Sequence, residues 1–556
     1  MNRTIVWFRR DLRIADHAPL YRAALRGAVI PVFIFDRALL HHPETAPARV
    51  AFMLECLASL DRDLQAHGGR LILRSGDPAE VLPHLVRETQ AEGIYAHIDY
   101  ERIYGRVRDA RLNRALAEQQ MKIRWFEPTA GVADLIAYPQ YRDFWFAEMR
   151  QEMSPTPDRI QTPPSIHSEP LPSLADLKLI PDSKPIPSGG TAAARQILQE
   201  FLDEKVDRYY WQLSYPGAEA TTGLSPHLKF GAISIRECYQ TAQQLKSSDS
   251  FKVQRSRKQL ISRLRWGSGF AQRFRYLPQL ELRSLYTIFD EEGWEFDEAL
   301  YEAWQTGQTG FPIVDAAARC LQETGGWKQL NFRVRALHSS FLSNLLGIDW
   351  RYGALHFMRH LIDGDCPIDH YQWAMQSGVT HCVDKTWTRI YNPGQVAIDR
   401  CDPEGLFIKR WVPEVAHLSP EQLGTPPPLL GNYPSPILDY KSARQRRVKQ
   451  LERQRQTFLN QKNVVPYLAR LPEFMTPFGS DRFPGSEVEW ATMPNLELFP
   501  TPLDLESLDL AQAQALRTWF TAHVNILPQK GRSRRSPKKD KKEKRPADFS
   551  QLSLLD

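Results

Sequence analysis

The stretch WQTGQTGFPIVDA, residues 304–316, is the first of four motifs on which the interpretation of this chain depends. It lies inside a long region, residues 191–463, in which apolar residues recur at helical spacing and no strand-like alternation persists. The region ends in a charged amphipathic run, YKSARQRRVKQLERQRQTFLN, at residues 440–460. We therefore predict an all-α domain over residues 191–463.

The amino-terminal part of the chain has a different pattern. Short runs rich in β-branched and aromatic residues occur at 4–8, 29–35, 70–73, 94–97 and 123–126, and helical patterns separate them. This alternation predicts a doubly wound parallel sheet covered by helices, an α/β domain over residues 1–130. Ligands of such sheets bind beyond the carboxyl ends of the strands, which makes Asp36 and the Gly76-Asp77 pair candidates; a plain turn is the alternative for both.

Two further segments are predicted to lie outside these domains. Residues 131–190 are rich in proline and serine and indicate an interdomain connector. Residues 464–556 form a carboxyl-terminal extension that we expect to be largely disordered. Its run from Lys530 to Arg545 holds ten Lys/Arg and two Asp/Glu, a charge of +8, so the net charge of +6 leaves −2 for the rest of the chain. A folded part that binds nucleic acid must therefore use a local basic face.

Composition also limits the setting in which the protein works. A length of 556 residues suffices for two or three domains and a large buried cofactor. The sequence contains no run of about 18 apolar residues, and its first residues, MNRTIVWFRRDLR, hold arginines where a signal peptide needs apolar side chains. We expect a soluble, cytoplasmic protein without a membrane partner. The scattered cysteines form no C-x-x-C pair and are predicted to be reduced core thiols: Cys56, Cys238, Cys320, Cys366, Cys382 and Cys401.

Three more motifs follow the first one in order: NFRVR at 331–335, DWR at 349–351 and LIDGD at 361–365. Together with VWFRRDLRIADH at 6–17, IYNP at 390–393 and DPEGLFIKRW at 402–411, they resemble the photolyase/cryptochrome superfamily over about residues 1–460. The resemblance implies an α/β antenna domain followed by a helical domain that binds FAD. It also implies no metal, because the four cysteines that hold an iron–sulfur cluster in one bacterial branch are not evident.

The resemblance implies a set of residues around a non-covalent FAD. The turn TTGLSP at 221–226 offers hydroxyls and backbone N–H groups to a pyrophosphate, and simple helix capping is the alternative. Arg335 is expected to pair with Asp363 and to stabilise negative charge on the reduced ring, with a structural ion pair as the alternative. Gly364 is expected to let the backbone approach the ring. The implied cofactor residues are Tyr209, Thr221, Thr222, Leu224, Ser225, Arg263, Arg335, Asp363, Asp365 and Asp369.

Two expectations concern the redox chemistry of the flavin. The family pattern places Asp369 opposite flavin N5, where repair enzymes commonly have Asn and plant cryptochromes have Asp; a buried, protonated carboxyl there can donate a proton to the ring. Family members reduce the flavin through three tryptophans, and the matching residues are Tyr371, Trp350 and Trp294. An oxidised tyrosine must also release its phenolic proton, so Tyr371 should change or slow photoreduction.

The substrate pocket departs most from the family pattern. Gln259 replaces a carboxylate that contacts the pyrimidine dimer, Ser262 replaces a stacking tryptophan and Phe332 replaces an asparagine, whereas the stacking Trp373 remains. A glutamine hydrogen-bonds a base edge, and the two aromatic rings stack on a flipped base. The implied substrate residues are Gln259, Phe332, Arg333 and Trp373. Nearby basic residues predict a face that follows phosphates, with a solvated helix face as the alternative: Arg255, Arg257, Lys258, Arg263, Arg265, Arg273 and Arg275.

Three functions remain open at this point. The first is light-driven repair of pyrimidine dimers in UV-damaged DNA by electron transfer from reduced FAD. The second is a cryptochrome-type photoreceptor, which Gln259, Ser262 and Asp369 favour. The third is a flavin electron-transfer protein that works without light.

Further partners are also expected. A second, antenna chromophore would be a folate or a deazaflavin, and Tyr104-Gly105 stands where folate-binding relatives have polar or acidic residues. The end of the chain, Gln551, Leu552, Ser553, Leu554 and Leu555, resembles the short peptide by which bacterial repair proteins bind the DNA polymerase sliding clamp; an accidental apolar end is the alternative. We expect a monomer.

Overall fold

The computed structural model describes residues 2–459 except 100, 133–137, 277, 282–283, 285–287, 292, 380–389, 425 and 427–430. The amino-terminal half contains a five-stranded sheet in which all neighbouring strands are parallel. The strands are β1 Arg3–Phe8, β2 Ala28–Phe35, β3 Ile72–Ser75, β4 Gly93–His97 and β5 Ile123–Phe126, in the spatial order β3-β2-β1-β4-β5. The predicted doubly wound α/β fold is thus confirmed.

Helices cover both faces of this sheet, as the two separate cores on either side of it show. They are α1 Ala18–Ala24, α2 Arg37–Leu40, α3 Pro47–Ala66, α4 Pro78–Thr89 and α5 Ile103–Glu118. Every residue of β2 is buried, which explains why its sequence, AVIPVFIF, is apolar throughout rather than alternating. Asp36 and Asp77 stand at strand ends as predicted, where their carboxylates cap α2 and α4 by accepting from Ala38 N and Ala79 N.

The segment predicted to be a connector contains a helix, α6 Tyr138–Arg150. Its Tyr141, Trp145 and Met149 are buried in a core shared with the helical half, because their spacing of four residues places them on one face. Proline-rich sequence begins only after this helix. That later part packs on the α/β half, with Ile160 buried and its N–H donating to His67 O.

The regular elements of the second half are all helices within its described residues, as predicted. Its helices are α7 Thr191–Glu204, α8 Val206–Gln212, α9 Ser225–Lys229, α10 Ile235–Gln243, α11 Phe251–Tyr276, α12 Ile288–Glu291, α13 Glu298–Thr306, α14 Pro312–Thr324, α15 Phe332–Ser340, α16 Trp350–His360, α17 Cys366–Gln376, α18 Pro393–Val396, α19 Leu406–Trp411, α20 Pro420–Gly424 and α21 Tyr440–Leu459. One large apolar core joins α13 to α21 and includes fully buried Trp304 and Trp350.

Buried polar contacts join the two halves. Arg49 of α3 donates from Nη1 to the carbonyls of Met358 and Leu361, at 2.8 and 2.7 Å. Arg102 donates to Glu281 of the helical half and to Glu44 of its own half. These groups are taken out of water together, so each half presents buried polar groups whose hydrogen bonds the other half completes.

Three further predictions concern the cysteines, membrane spans and the carboxyl-terminal extension. The five described cysteines, Cys56, Cys238, Cys320, Cys366 and Cys401, are buried and unpaired by disulfides, whereas Cys382 lies outside the described residues. None of the described helices combines the length and the apolar composition that a membrane span requires. The predicted disordered extension, with its basic run and clamp motif, also lies outside the described residues.

Candidate functional site

A cavity of about 510 Å³ lies between the helices of the second half and the carboxyl ends of β1 and β4. Ten residues that the sequence singled out line it: Tyr209, Thr222, Ser225, Arg263, Phe332, Arg335, Asp363, Asp365, Asp369 and Trp373. Seven others stand outside its lining: Thr221, Leu224, Gln259, Arg333, Tyr371, Trp350 and Trp294. The motifs therefore converge on one site, although they come from five helices and the turns between them.

The turn 221–226 forms one wall of the cavity. Gly223 adopts a left-handed conformation with φ +75°, which lets the chain bend before α9. The hydroxyl of Thr222 accepts from Leu224 N at 3.3 Å, and Ser225 opens α9 and reaches the cavity. Thr221 instead donates toward Lys328 O at 3.5 Å, and the Leu224 side chain is buried in the core behind the wall. Two hydroxyls of the turn therefore face the cavity.

Among the cavity side chains, Arg263 of α11 gives the clearest indication that the cavity binds a ligand. Its guanidinium lies over the rings of Phe332 at 4.1 Å and Trp266 at 4.6 Å, and its buried Nε and Nη2 have no hydrogen-bond partner within the described part of the chain. Burial lowers the pKa of Arg263 from its usual value. An arginine stays charged in proteins, so a buried and unpartnered guanidinium fits an anionic group such as a phosphate.

The expected contact between Arg335 and Asp363 is present. Arg335 Nη2 lies 3.1 Å from Asp363 Oδ2, and Arg335 Nε donates to Leu330 O. A methyl group on Gly364, next to Asp363, would lie 2.5 Å from Arg49 Nη1. The glycine thus makes room for the arginine of the α/β half, a reason that the sequence did not reveal.

Asp365 has partners that the sequence did not predict. Its Oδ2 accepts from Arg10 Nη1 at 2.8 Å and lies 3.5 Å from Lys229 Nζ, while its Oδ1 caps α17 by accepting from Ile368 N at 3.3 Å. Arg10 belongs to the opening motif VWFRRDLRIADH. Arg10 is therefore visible in the sequence as part of a charged motif, but nothing in the sequence links Arg10 to Asp365, which lies 355 positions away.

Asp369 lies on α17 at the cavity wall and is buried. Burial raises the pKa of its carboxyl to about 7; the nearby His370 opposes this rise and the carboxylate of Glu44 adds to it. Its Oδ2 has no hydrogen-bond partner among the described residues and lies 3.8 Å from His370 Nδ1. The site therefore places a buried carboxyl with a raised pKa at the cavity wall.

Trp373 and Phe332 present aromatic surface to the cavity. Trp373 packs edge-on against Phe357 at 4.9 Å, and Gly353 makes room for it, since a methyl there would lie 2.2 Å from its ring. Gln259 is half-buried and stands outside the lining. Arg333 is buried and turns away, donating from Nε to Ser214 Oγ at 3.1 Å.

The three residues expected to conduct electrons lie behind the cavity wall. Tyr371 packs on Phe270 at 5.2 Å, and its hydroxyl accepts from Arg273 Nη1 at 3.0 Å. Trp350 is fully buried and donates to Ser284 Oγ, and Trp294 is half-buried and donates to Phe289 O.

The carboxyl ends of β1 and β2 are covered by side chains of the chain itself. Asp36 accepts from Tyr104 Oη at 3.0 Å and from Arg108 Nη1 at 3.3 Å, and Arg108 lies over the ring of Trp7 at 5.0 Å. Arg9 pairs with Asp109 at 2.8 Å beside the same ring. These contacts account for the burial of the candidate ligand position Asp36.

Two buried groups hold three potential metal ligands each within the described residues. In the first, Asp11 Oδ2 accepts from both His17 and His97, at 2.9 and 2.6 Å. Burial lowers the pKa of His97 to about 4, so its ring is neutral near pH 7. In the second, of Glu44, Cys366 and His370, the carboxylate binds His370 at 3.0 Å and also Arg102 at 2.6 Å. Hydrogen bonds and ion pairs thus account for both groups.

The comparisons with known proteins agree with this geometry. Residues 4–131 match the family model described as DNA photolyase, and residues 260–453 match the FAD binding domain of DNA photolyase. A curated relative from Synechococcus sp., named deoxyribodipyrimidine photo-lyase, is 34% identical over 491 residues, which cover 83% of this chain and 99% of that protein. The chain belongs to the photolyase/cryptochrome family.

Other photolyase/cryptochrome proteins extend the comparison. A cryptochrome DASH from Gloeobacter violaceus is 30% identical over 78% of this chain and 93% of its own length. The crystal structure of a class III photolyase from Agrobacterium tumefaciens superimposes with a TM-score of 0.71 at 28% identity, covering 82% of this chain and 98% of that one. The helical half is thus the FAD-binding domain of a photolyase/cryptochrome protein, and its helices form most of the cavity wall.

Proposed function

We propose that this protein repairs pyrimidine dimers in UV-damaged DNA with light, using reduced FAD as the electron donor. The observation that carries the proposal is the cavity at the FAD-binding domain, which is lined by the rings of Phe332 and Trp373 and by Arg263, whose buried Nε and Nη2 have no hydrogen-bond partner among the described residues. The relative from Synechococcus named deoxyribodipyrimidine photo-lyase, of which this chain covers 99%, supports it.

FAD, when bound, supplies the electron that light excites and that splits the dimer. The groups of this chain bind and orient both molecules. Arg263 and the hydroxyls of Thr222 and Ser225 would hold the pyrophosphate, while Arg335 would stabilise negative charge on the reduced ring from its pair with Asp363. The remaining cofactor residues in this proposal are Tyr209, Thr221, Leu224, Asp365 and Asp369.

DNA would approach the cavity with the damaged bases turned out of the helix. Phe332 and Trp373 would stack on them, Gln259 would hydrogen-bond a base edge from the rim, and Arg333 would position Phe332, over whose ring it lies at 5.4 Å. The exposed Lys258 and the half-buried Arg255 and Arg257 of α11 would contact phosphates. Buried Arg275 is paired with Glu127 and is not part of this face.

One observation favours a cryptochrome-type photoreceptor as the second candidate. Asp369, with a pKa of about 7, puts a titrating carboxyl at the flavin cavity, and such a group can move a proton when the flavin changes its charge. The relative named cryptochrome DASH supports this alternative.

Blue light decides between the two functions. The purified, chemically reduced protein is illuminated with dimer-containing oligonucleotides, single-stranded and double-stranded, and the restored thymine absorbance is measured. Restoration with either substrate is the expected result. No restoration with both, while bound FAD is still reduced by light, would replace repair with the photoreceptor function. Phe332→Ala should weaken repair, and Phe251→Ala, at an exposed position of α11, is the matched control.

The proposal also includes partners and setting. We place the protein in the cytoplasm as a monomer, in agreement with its expected solubility. The motif of Gln551, Leu552, Ser553, Leu554 and Leu555 would bind the sliding clamp, bringing repair to stalled replication. From the family resemblance we expect the α/β half to bind a second chromophore, a folate or a deazaflavin. Extraction of the purified protein followed by fluorescence spectroscopy tests for this chromophore.

A further inference from the structure

Four aromatic rings, each in contact with the next, lead from the cavity to the protein surface. Trp373 lines the cavity, and its ring centroid lies 6.1 Å from that of Trp304. Trp304 stacks on Tyr301 at 5.9 Å with an angle of 14°, and Tyr301 meets Tyr352 at 5.7 Å. Tyr352 is 42% exposed and also stacks on the exposed Phe296 at 4.6 Å. The hydrophobic core is thus crossed by an unbroken series of oxidisable side chains.

The route expected from the family begins instead at Tyr371, and its surroundings oppose oxidation. The Tyr371 hydroxyl accepts from Arg273 Nη1 at 3.0 Å, and the guanidinium carbon lies 5.2 Å from the ring centroid. An arginine cannot accept the proton that an oxidised phenol releases, and its charge repels the positive charge left on the ring. The side chain is 1% exposed, so water does not take over either task.

Trp304 has surroundings of the opposite kind. Its ring stacks on His338 at 4.3 Å with an angle of 24° and meets His356 at 5.2 Å. Burial lowers the pKa of His338 to about 3 and lowers that of His356 as well, so both imidazoles are neutral near pH 7. The indole Nε1 donates to the backbone carbonyl of His338 at 3.1 Å. A positive charge on Trp304 therefore meets polarisable neutral rings and a carbonyl oxygen.

Tyr301 can release a proton where Tyr371 cannot. It is half-buried, and its hydroxyl donates to the backbone carbonyl of Tyr352 at 3.0 Å in an exposed position. Burial raises its pKa to about 12, so the phenol is protonated before oxidation. Solvent next to this hydroxyl is available to take the proton.

We propose that Trp373, Trp304, Tyr301 and Tyr352 form a second electron path through which light reduces the bound FAD. Trp373 would give one electron to the light-excited, oxidised FAD, which is the oxidant. One electron then moves from Trp304 to Trp373 and one from Tyr301 to Trp304, while the phenolic proton of Tyr301 passes to water. Tyr352 then gives one electron to the Tyr301 radical, while its phenolic proton passes to water and Tyr301 takes a proton back. The radical is then at the surface, where a thiol in solution gives Tyr352 one electron and one proton and becomes a thiyl radical.

This inference rests on the FAD binding of the proposed function, but it does not rest on repair. Trp373 thereby has two tasks, since it faces the substrate and also donates the first electron. Trp304, Tyr301 and Tyr352 lie outside the cavity lining and have no other role in the proposed chemistry.

Two variants test the path, with one matched control. Trp304→Phe and Tyr301→Phe each keep an aromatic ring but remove the oxidisable group. Tyr215→Phe is the control, because Tyr215 is a half-buried tyrosine of the same half that contacts Trp211 and none of the path residues. Reduction of bound FAD by blue light is followed without oxygen and with a thiol, after the FAD content of each protein is measured. We expect a severalfold lower yield in both variants and no change in the control.

A second measurement locates the radical and does not use FAD reduction as its readout. A spin trap added during illumination labels surface radicals, and peptide mass spectrometry finds the label. We expect it on Tyr301 or Tyr352 in the unchanged protein and on neither in Trp304→Phe. If Trp304→Phe fails to fold, the same measurement is made with Tyr301→Phe, a change at a half-buried position. In that variant we expect no label on Tyr352.

Two outcomes would overturn the path: an unchanged reduction yield in Tyr301→Phe with full FAD content, or a label distribution that Tyr301→Phe leaves unaltered. Measuring repair by the chemically reduced protein distinguishes a failure of this inference from a failure of the proposed function. After chemical reduction, Tyr301→Phe should repair dimers as well as the unchanged protein does. If the chemically reduced, unchanged protein does not repair dimers, the proposed function is contradicted. The electron path is then still decided by the reduction yield and the radical label.

Discussion

Arg335 holds Asp363 across the floor of the cavity, with Nη2 and Oδ2 3.1 Å apart. The carboxylate is buried, whereas the arginine side chain is 26% exposed, so the pair is only partly shielded from solvent. Removing one partner leaves the other charge at the cavity without compensation.

We expect Arg335→Ala and Asp363→Ala each to weaken FAD binding by about tenfold, a loss of about 1.4 kcal/mol. The measurement is the dissociation constant of FAD, obtained by titrating the stripped protein and following flavin fluorescence. Glu219→Gln is the control, because its pair with Arg410 is on the surface and both partners are more than half exposed. Equal FAD affinity in all the proteins would show that the isoalloxazine lies elsewhere.

The buried Asp369 makes stability depend on pH. Its pKa of about 7 lies above the value of about 4 in an unfolded chain, so the folded protein keeps a proton that the unfolded chain has released between these pH values. The contribution is fully present below about pH 4 and is lost as the pH rises through about 7, with an upper bound of about 4 kcal/mol. Between about pH 4 and about pH 7, Tm should therefore fall more steeply with rising pH than in Asp369→Asn.

Thermal unfolding at several pH values checks this prediction through the slope of Tm against pH. Asp439→Asn is the matched control, because Asp439 is exposed and caps α21 from outside the cavity. Parallel slopes in the unchanged protein and in Asp369→Asn would mean that Asp369 is already ionised in the folded state.

Tyr371→Trp should speed the light-driven reduction of FAD. An oxidised indole need not release a proton beside Arg273, so the variant restores the route through Trp350 and Trp294. Transient absorption after a laser flash measures the rate, and Tyr371→Phe is the control that only removes the phenol. A rate in Tyr371→Trp that equals the rate in Tyr371→Phe would exclude this route.

Gly353→Ala should destabilise the helical half. The added methyl would lie 2.2 Å from Trp373 Cη2, and overpacking of this kind costs about 1–3 kcal/mol, more than the about 0.5–1 kcal/mol that alanine gains over glycine in a helix. Gly267→Ala in α11 is the matched control, because its nearest contact is Ile368 Cδ1 at 3.7 Å. We expect a lower Tm for the first variant and an equal or higher Tm for the second. A raised Tm in Gly353→Ala would show that Trp373 moves freely.

The end of the chain should bind the sliding clamp. A fluorescent peptide of residues 548–556 is titrated with purified bacterial clamp, and we expect saturable binding that a known clamp ligand displaces. Gln551 would make polar contacts and the leucines would fill apolar pockets, so the double change Gln551→Ala with Leu554→Ala should abolish binding. Without saturable binding of the unchanged peptide, the tail has no role as a clamp ligand.

The fold could be predicted from the sequence because its signals are local. The buried strands are apolar over their whole length, and the helices begin at residues that cap them, such as Asp297 for α13 and Asn331 for α15. Helix α6 was assigned to a connector, since the proline-rich sequence after it dominated the composition of that region.

The site was only partly predictable, because many of its contacts join residues that are distant in the sequence. Motif residues that line the cavity were found by their order along the chain, whereas their partners are distant in sequence. Arg10 pairs with Asp365, and Arg49 makes Gly364 necessary, and neither contact leaves a periodic pattern. The aromatic path from Trp373 to Tyr352 likewise joins residues of three helices, so it exists only in the folded chain.

The contacts between the two halves have a consequence for synthesis on the ribosome. Arg10 is among the first residues made, but its partner Asp365 follows 355 residues later, about 20–70 s at usual elongation rates of roughly 5–20 residues per second. During this interval Arg10, Arg49 and Arg102 of the α/β half lack their partners from the helical half, although Arg10 keeps Asp99 and Glu101, and Arg102 keeps Glu44. A nascent chain whose polar surface is only partly satisfied in this way is a target for chaperones until the helical half has been synthesised.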